Sequence, residues 1–262
     1  MSNLTILRSY AQRSKPGSLP PSILFSYKEK TITIFDAFPK SMFHFLILPR
    51  TSAFTPLSVF DLSSLRTLLR RDKTKAKEVI VALKEEAKNL RTSIEEEMID
   101  RYGFKWDIWM GFHPVPSMEH LHLHVMSADL CSPSMKTKKH YNSFHPKLGF
   151  FQDIDEILLW FDAEPSYFSA MSELKKSQYE PLLKEDLVCF RCERGIKNMP
   201  LLKTHLQEEW DGLAERERAK LSNQNKRKRE TEDIQGTEQD SIRQSKRQDQ
   251  SRTSNDSAME TD

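Results

Sequence analysis

Three histidines stand at every second position of one apolar run, His120-Leu121-His122-Leu123-His124-Val125. In an extended strand alternate side chains share a face, so the three imidazoles would line one side and Leu121, Leu123 and Val125 the other. A lone histidine is most simply a satisfied structural residue. Three in strict alternation are hard to arrange as mere core. Two chemistries fit them. Alternating imidazoles can ligate a catalytic zinc. They can also supply a nucleophile, an acid and an orienting partner for phosphoryl chemistry.

A second group lies downstream. Cys189-Phe190-Arg191-Cys192 is followed after twelve residues by His205, and Glu209 comes four positions later. The first three match zinc-finger spacing. One structural zinc on Cys189, Cys192, His205 and Glu209 is expected, with Glu208 or water as rivals for the fourth place. His205 and Glu209 would share one face of a helix starting near Pro200. Two thiolates and a carboxylate around Zn²⁺ sum to about −1, where the commoner two-histidine finger is neutral. Cys131 stands alone, and three cysteines in this pattern suit a reducing compartment better than a disulfide framework.

The elements that must hold these groups are legible in outline. Asn3 to Arg13 spaces Leu4, Leu7 and Tyr10 as a short basic helix would, and Lys15 to Pro21 reads as a break. Lys30 to Phe35 and Met42 to Leu48 read as strands, the second buried. Residues 58–100 carry two helices, one marked by Leu62, Leu65, Leu68 and Leu69. The other is marked by Ile80, Leu83, Ala87, Leu90, Ile94 and Met98. Lys105 to Phe112 and His120 to Ser127 are expected strands; Ile154 to Phe161 and Tyr167 to Leu174 are expected helices. Strands, helices and strands again give an α+β fold with a largely antiparallel sheet, flanking helices and a small C-terminal finger module. The expected divisions are 1–29, an N-terminal helical segment; 30–165, the catalytic domain; 166–215, a connecting helix and the finger; and 216–262, a disordered tail.

The tail is assigned by composition. After Leu221 only Ile234, Ile242, Ala258 and Met259 could anchor it, too few to offset its ordering entropy. Within it Lys226-Arg227-Lys228-Arg229 reads as a nuclear-import signal or a nonspecific nucleic-acid contact. Over the 262 residues the formal charge is only +2, so any basic surface must come from local clustering. No run of about 18 apolar residues suggests a membrane span, and no secretory apolar core is visible.

The flanks of the histidine run decide between its two chemistries. Pro116-Ser117-Met118-Glu119 precedes it, and His44 lies in the upstream strand His44-Phe45-Leu46-Ile47-Leu48-Pro49. This constellation resembles the histidine-triad nucleotide hydrolases and transferases. Gly111-Phe112-His113-Pro114-Val115-Pro116 before the run is similar to the aprataxin family. So is Ser132-Pro133 with Lys136-Thr137-Lys138-Lys139-His140-Tyr141-Asn142-Ser143-Phe144 after it, and the match continues into the cysteine module. It covers about residues 30 to 210, and Glu209 as a ligand resembles fungal members.

The resemblance implies a fold, an activity and roles. The activity would be removal of AMP from 5′-adenylated DNA, through a covalent AMP-histidine on His122 that water then hydrolyses. His120 would assist departure of the leaving phosphate. His124 would hold His122 in its reactive tautomer, and His44 would extend that network. Ser117 would donate to a phosphate oxygen and Asp36 would accept from the ribose hydroxyls. Phe35 and Leu48 would border adenine or be plain core. Lys136, Lys138, Lys139 and His140 would form a loop that meets DNA phosphates, joined by His113 and Lys40. No catalytic metal is needed, since imidazoles and backbone donors can stabilise the developing charge. Partners would be adenylated or nicked DNA, or RNA-DNA junctions, with AMP as product and a nuclear monomer as the working form. The phosphopeptide-binding extension of animal members is expected to be absent. Three rivals stand beside this reading: a general hydrolase or transferase of small AMP conjugates, a non-catalytic zinc-finger DNA-binding protein, and a zinc hydrolase using the histidines as ligands.

Overall fold

A computed structural model describes residues 4–224 of the chain. The chain groups into two compact units, 1–211 and 212–262. In the second only 212–224 are described, and they are helical. Of the tail expected to be disordered, residues 216–224 are helical instead, while the basic run 226–229 and the rest of it lie outside the described residues.

Six strands form one sheet: β1 (Leu24–Tyr27), β2 (Thr31–Phe35), β3 (His44–Pro49), β4 (Ile108–Phe112), β5 (Leu123–Ser127) and β6 (Gln152–Asp153). Their order is β1-β2-β3-β5-β4-β6, and every pairing is antiparallel. All six residues of β3 and all five of β5 are buried. Both faces of these central strands are covered, which is why they read as nearly continuous apolar runs.

The long helix α3 (Lys73–Tyr102) packs on β2, β3 and β5. Asp72 caps its start by accepting from the Lys75 amide, and Gly103 at φ 82° ends it. Ala76, Ile80, Leu83, Ala87, Leu90, Ile94 and Met98 make its buried line, as their spacing of three and four dictates. The shorter α2 (Leu65–Leu69) begins with a Ser64–Thr67 capping box. A second cluster is closed by α1 (Ile6–Ala11), whose Leu7 and Ala11 pack on Ile32, Ile34, Leu46 and Leu48. That helix is shorter than its sequence pattern, because Leu4 is 52% exposed and buries nothing.

Beyond β6 come α4's successors: α5 (Ile154–Asp162), α6 (Pro165–Ser172) and α7 (Lys176–Tyr179), with α4 itself (Lys138–Phe144) lying before the strand. A last helix of this unit, α8, covers 199–211. One core cluster joins Met126, Tyr141, Phe144 and Phe151 to Leu187, Cys189, Phe190, Leu202 and Leu206. The cysteine module therefore shares a core with the sheet and sits within the same compact unit, with no break at 165.

Several elements differ from their sequence patterns. The edge strand β1 falls after the break, within residues 1–29 that are expected as a helical segment, and β6 has only two residues, too few for periodicity to reveal. Of the expected lysine loop, Lys138, Lys139 and His140 form the first turn of α4, capped by Thr137, and only Lys136 stays in irregular chain before it. Most consequential, β5 starts at Leu123. His120 has φ 90° and lies before the strand, so the three histidines are not one alternating row.

Leu83 is fully buried between α3 and the sheet. Leu83→Ala should lower the unfolding free energy by about 2–5 kcal/mol in urea titration. A loss below about 1 kcal/mol would mean that α3 is not packed as described.

Candidate active site and metal centre

The sheet register brings two histidines together. His44 faces Met126 across the β3–β5 pair, and His124 faces Leu46, so the two rings are diagonal neighbours on one face. His44 Nε2 lies 3.0 Å from His124 Nδ1. The Lys40 amide donates to His44 Nδ1 at 3.0 Å. An amide N–H can only donate, so Nδ1 of His44 is the acceptor and the neutral ring carries its proton on Nε2. That proton goes to His124 Nδ1, which leaves the His124 proton on Nε2, a buried atom without a partner in the described chain. Asp36 Oδ2 lies 3.6 Å from His44 Nε2, and its Oδ1 accepts from the Phe38 amide at 2.7 Å.

His122 is set separately. Its Nδ1–H donates to the His120 carbonyl at 2.8 Å, which leaves the Nε2 lone pair for attack. The His122 and His124 rings are 4.9 Å apart, edge to face. The orienting bond thus comes from the backbone two residues back, not from His124 as the resemblance implies. His120 acts as a strut. It is fully buried, its ring Nε2 donates to the Pro49 carbonyl at 2.8 Å, and its amide donates to the Ser63 carbonyl at 3.0 Å. Its remaining Nδ1 is buried and has no hydrogen-bond partner among the described residues.

Burial keeps the whole cluster neutral. It pushes His44 and His120 down to about 4 and His113 to about 3, and it lowers His122 and His124 as well. The neighbouring imidazoles add to the effect on His44, His113 and His124; for His44 the Asp36 carboxylate opposes it.

Asp36, His44 and His124 also have the closeness of a metal site, with ligand atoms within 4.8 Å of one another. The Lys40 amide argues against that use. A metal on His44 Nε2 would have to displace the proton that this amide places there.

The other expected residues fall into three groups. Lys40, Lys136 and Lys139 share a surface with His140, whose pKa is lowered by burial and then by those three charges. Lys138 is tied to Asp186 at 3.3 Å and to the Lys184 carbonyl, so it is only partly free for a ligand. His113 does not belong to this surface. It stacks 4.5 Å from His124 and 4.6 Å from Phe144, and donates to the Ser143 carbonyl, so it is a wall of the histidine cluster. Ser117 is exposed and makes no hydrogen bond among the described residues. Leu48 lies in the apolar cluster with Ile34 and Leu46, on the face that carries His124. Phe35 points to the opposite face, against Phe45 and Phe25.

Two supports escaped sequence reading. Buried Asp129 accepts from the Met42 and Cys131 amides and from Trp106 Nε1, tying the end of β5 to the turn before β3. A lone aspartate ending an apolar strand was its only signal. Arg8 of α1 pairs with Glu119, one residue before His120. No short-range pattern links positions so far apart in the chain.

In the cysteine module a tight turn, with Glu193 at φ 60°, follows Cys189. Asn198 Oδ1 accepts from the Leu201 amide at the start of α8, which presents His205 and Glu209 one turn apart. Ligand atoms of Cys189, Cys192, His205 and Glu209 all lie within 4.8 Å of one another. Cys192 Sγ is 3.2 Å from His205 Nε2, which is 3.5 Å from Glu209 Oε1. This donor set fits a tetrahedral zinc site. Arg194 reaches Nδ1 of His205 at 2.8 Å. Zinc on Nε2 would put the ring proton there and displace the guanidinium.

Comparison with known proteins finds a family match over each of the two regions. Residues 9–140 match the family described as scavenger mRNA decapping enzyme C-term binding. Residues 147–212 match the C2HE / C2H2 / C2HC zinc-binding finger. An aprataxin-like protein of Saccharomyces cerevisiae is 30% identical over 78% of this chain and 94% of its own length. One of Drosophila melanogaster is 36% identical over 73% of this chain, but the match spans only 25% of that longer protein. A solved structure titled "Hnt3 in complex with DNA and guanosine" superposes with TM-score 0.60 at 28% identity, covering 82% of this chain and 99% of that one. Fold and site together define a histidine-triad protein with a C-terminal zinc-finger module. The chain belongs to the aprataxin family.

Two outcomes follow. His44, His113 and His120 are neutral in the fold down to about pH 4, 4 and 3 in the order His44, His120, His113, whereas an unfolded histidine takes its proton near 6.5. Their stabilising effect is fully present above pH 6.5 and is lost as pH falls toward 4. Around pH 5 each should contribute a slope of roughly 1.4 kcal/mol per pH unit. A Tm that stays flat from pH 7 to 4.5 would contradict the neutral cluster. Cys192→Ser should lose the zinc in elemental analysis and lower the Tm; zinc retained by this variant would exclude the site.

Proposed function

We propose that the chain hydrolyses AMP from 5′-adenylated DNA. The observation that carries this reading is His122, with Nδ1–H fixed on a backbone carbonyl and an unprotonated Nε2 in a neutral, buried histidine cluster. Nε2 attacks the AMP phosphorus. The N–P bond forms, the anhydride P–O bond breaks, and the DNA leaves with its 5′-phosphate. Water then cleaves the N–P bond, releasing AMP and restoring His122. Splitting one displacement into two is the gain of covalent catalysis.

The surroundings support each part. The unpartnered Nε2–H of His124 is the donor for a phosphate oxygen. Asp36 accepts from the ribose hydroxyls, and Ile34, Leu46 and Leu48 form an apolar floor for adenine. Lys40, Lys136 and Lys139 meet the DNA phosphates, with Lys138 joining once it exchanges Asp186 for phosphate. DNA binding finds support in the solved relatives that hold it. Processing of RNA-DNA junctions, a monomeric working form and nuclear placement through 226–229 belong to the same proposal.

The test is AMP release from a nicked duplex with a 5′-adenylated end, beside a small AMP-amide. His122→Ala should lower release by at least about 10⁴-fold while keeping the Tm. Normal release by that variant would remove His122 as nucleophile. If only the AMP-amide is cleaved, the small-conjugate hydrolase reading replaces the DNA one. Replacing Lys138 and Lys139 together should reduce the salt slope of DNA binding by up to about two; an unchanged slope would take these lysines off the DNA path.

A further inference from the structure

A cleft of about 600 Å³ opens against α3, and its lining reaches Asp36 and His44 of the histidine cluster. The register puts its aromatic wall on the opposite face from His124: Ile34 and Leu46 share the His124 face, whereas Phe35 and Phe45 share the face toward α3. The cleft is walled by Phe25, Phe35 and Phe45, whose ring centroids lie 5.1–5.7 Å apart, and by the C-terminal turns of α3. Phe25 and Phe35 are 41% and 39% exposed, unusual for large apolar side chains grouped together.

The charge of the lining is one-sided. It holds the carboxylates of Asp36, Glu96, Glu97 and Asp100 against one guanidinium, Arg101. Arg101 is hydrogen-bonded to Glu97 and lies 5.9 Å from the centroid of the Phe43 ring. The cleft thus already pairs one cation with a carboxylate and an aromatic face. Glu96 and Asp100, both exposed, have no such partner among the described residues.

We propose that this cleft docks an extended segment of a protein partner through an arginine side chain. The guanidinium would lie on the Phe25 and Phe35 rings and hydrogen-bond Glu96 and Asp100. Arginine suits both halves of the cleft, because its planar cation stacks on aromatic faces and forks onto carboxylates. Nucleic acid is excluded here by like charge. An inorganic cation would leave the aromatic wall unused. A peptide is favoured over a small organic cation by the position of Phe25 on β1, which ends the sheet and pairs only with β2 among the strands. An extended segment could run along that edge, with alternate side chains facing the cleft. The cleft shares Asp36 and His44 with the proposed reaction, so the variants that test it are confined to Phe25, Glu96 and Asp100, which the reaction does not use.

The test uses the full chain and fluorescence anisotropy of a labelled peptide, Val-Arg-Val-Arg-Val, with Val-Gln-Val-Gln-Val as control. The arginine peptide should bind at least tenfold more tightly. The double variant Glu96→Lys with Asp100→Lys, on an exposed helix face, should weaken it at least tenfold, and so should Phe25→Ser. Thermal melts establish that each variant is folded. Both variants should release AMP as the wild type does. Unchanged binding in the lysine double variant would overturn the proposal. So would a loss confined to that variant with Phe25→Ser unaffected, since it would reduce the contact to bulk charge. If neither peptide binds but sedimentation shows self-association that Phe25→Ser abolishes, the cleft belongs to a second copy of the chain and the proposal fails.

Discussion

The site depends on one backbone turn, the left-handed His120. A side chain bearing a Cβ at φ 90° is strained by about 1–3 kcal/mol, so the surrounding contacts must hold it there. They do so from three directions. The His120 amide is bonded to Ser63, its ring to Pro49, and the next amide, of Leu121, to Leu62. The turn aims the His120 carbonyl at His122 Nδ1. That bond fixes the tautomer, and the tautomer decides that Nε2 is a nucleophile and not a donor.

A second bond chain, Lys40 amide to His44 to His124, starts from a donor that cannot change its role. Burial removes the option of protonating either ring near neutrality. With both ends fixed, the cluster presents an acceptor at His122 Nε2 and a donor at His124 Nε2. This is electrostatic preorganisation, in which the polar groups are oriented before charge develops. The sheet supplies the geometry, because His44 and His124 are diagonal neighbours on paired strands. Asp129 secures the two strand ends that carry them.

Local pattern made much of this legible. The buried line of α3 and the central strands follow from spacing within single elements, where side-chain period reports directly on burial, and the candidate zinc ligands from the short spacings Cys189–Cys192 and His205–Glu209. The misreadings arose where distant parts of the chain override the local pattern. Alternation from His120 to His124 suggests one strand, but contacts to Leu62, Ser63 and Pro49 bend the backbone before the strand begins. His113 reads as a surface neighbour of the lysines until α4 brings Phe144 against it. The module at Cys189 reads as separate until Tyr141 is found inside its core, accepting from the Phe190 amide.

The most direct test of the account is to trap the intermediate. Wild-type protein and excess 5′-adenylated nicked duplex would be mixed, quenched in alkaline denaturant within one turnover, and mapped by peptide mass spectrometry. The account requires an AMP adduct on His122 that forms and decays at the rate of AMP release. An adduct on another residue, or complete turnover with His122 never modified, would contradict it.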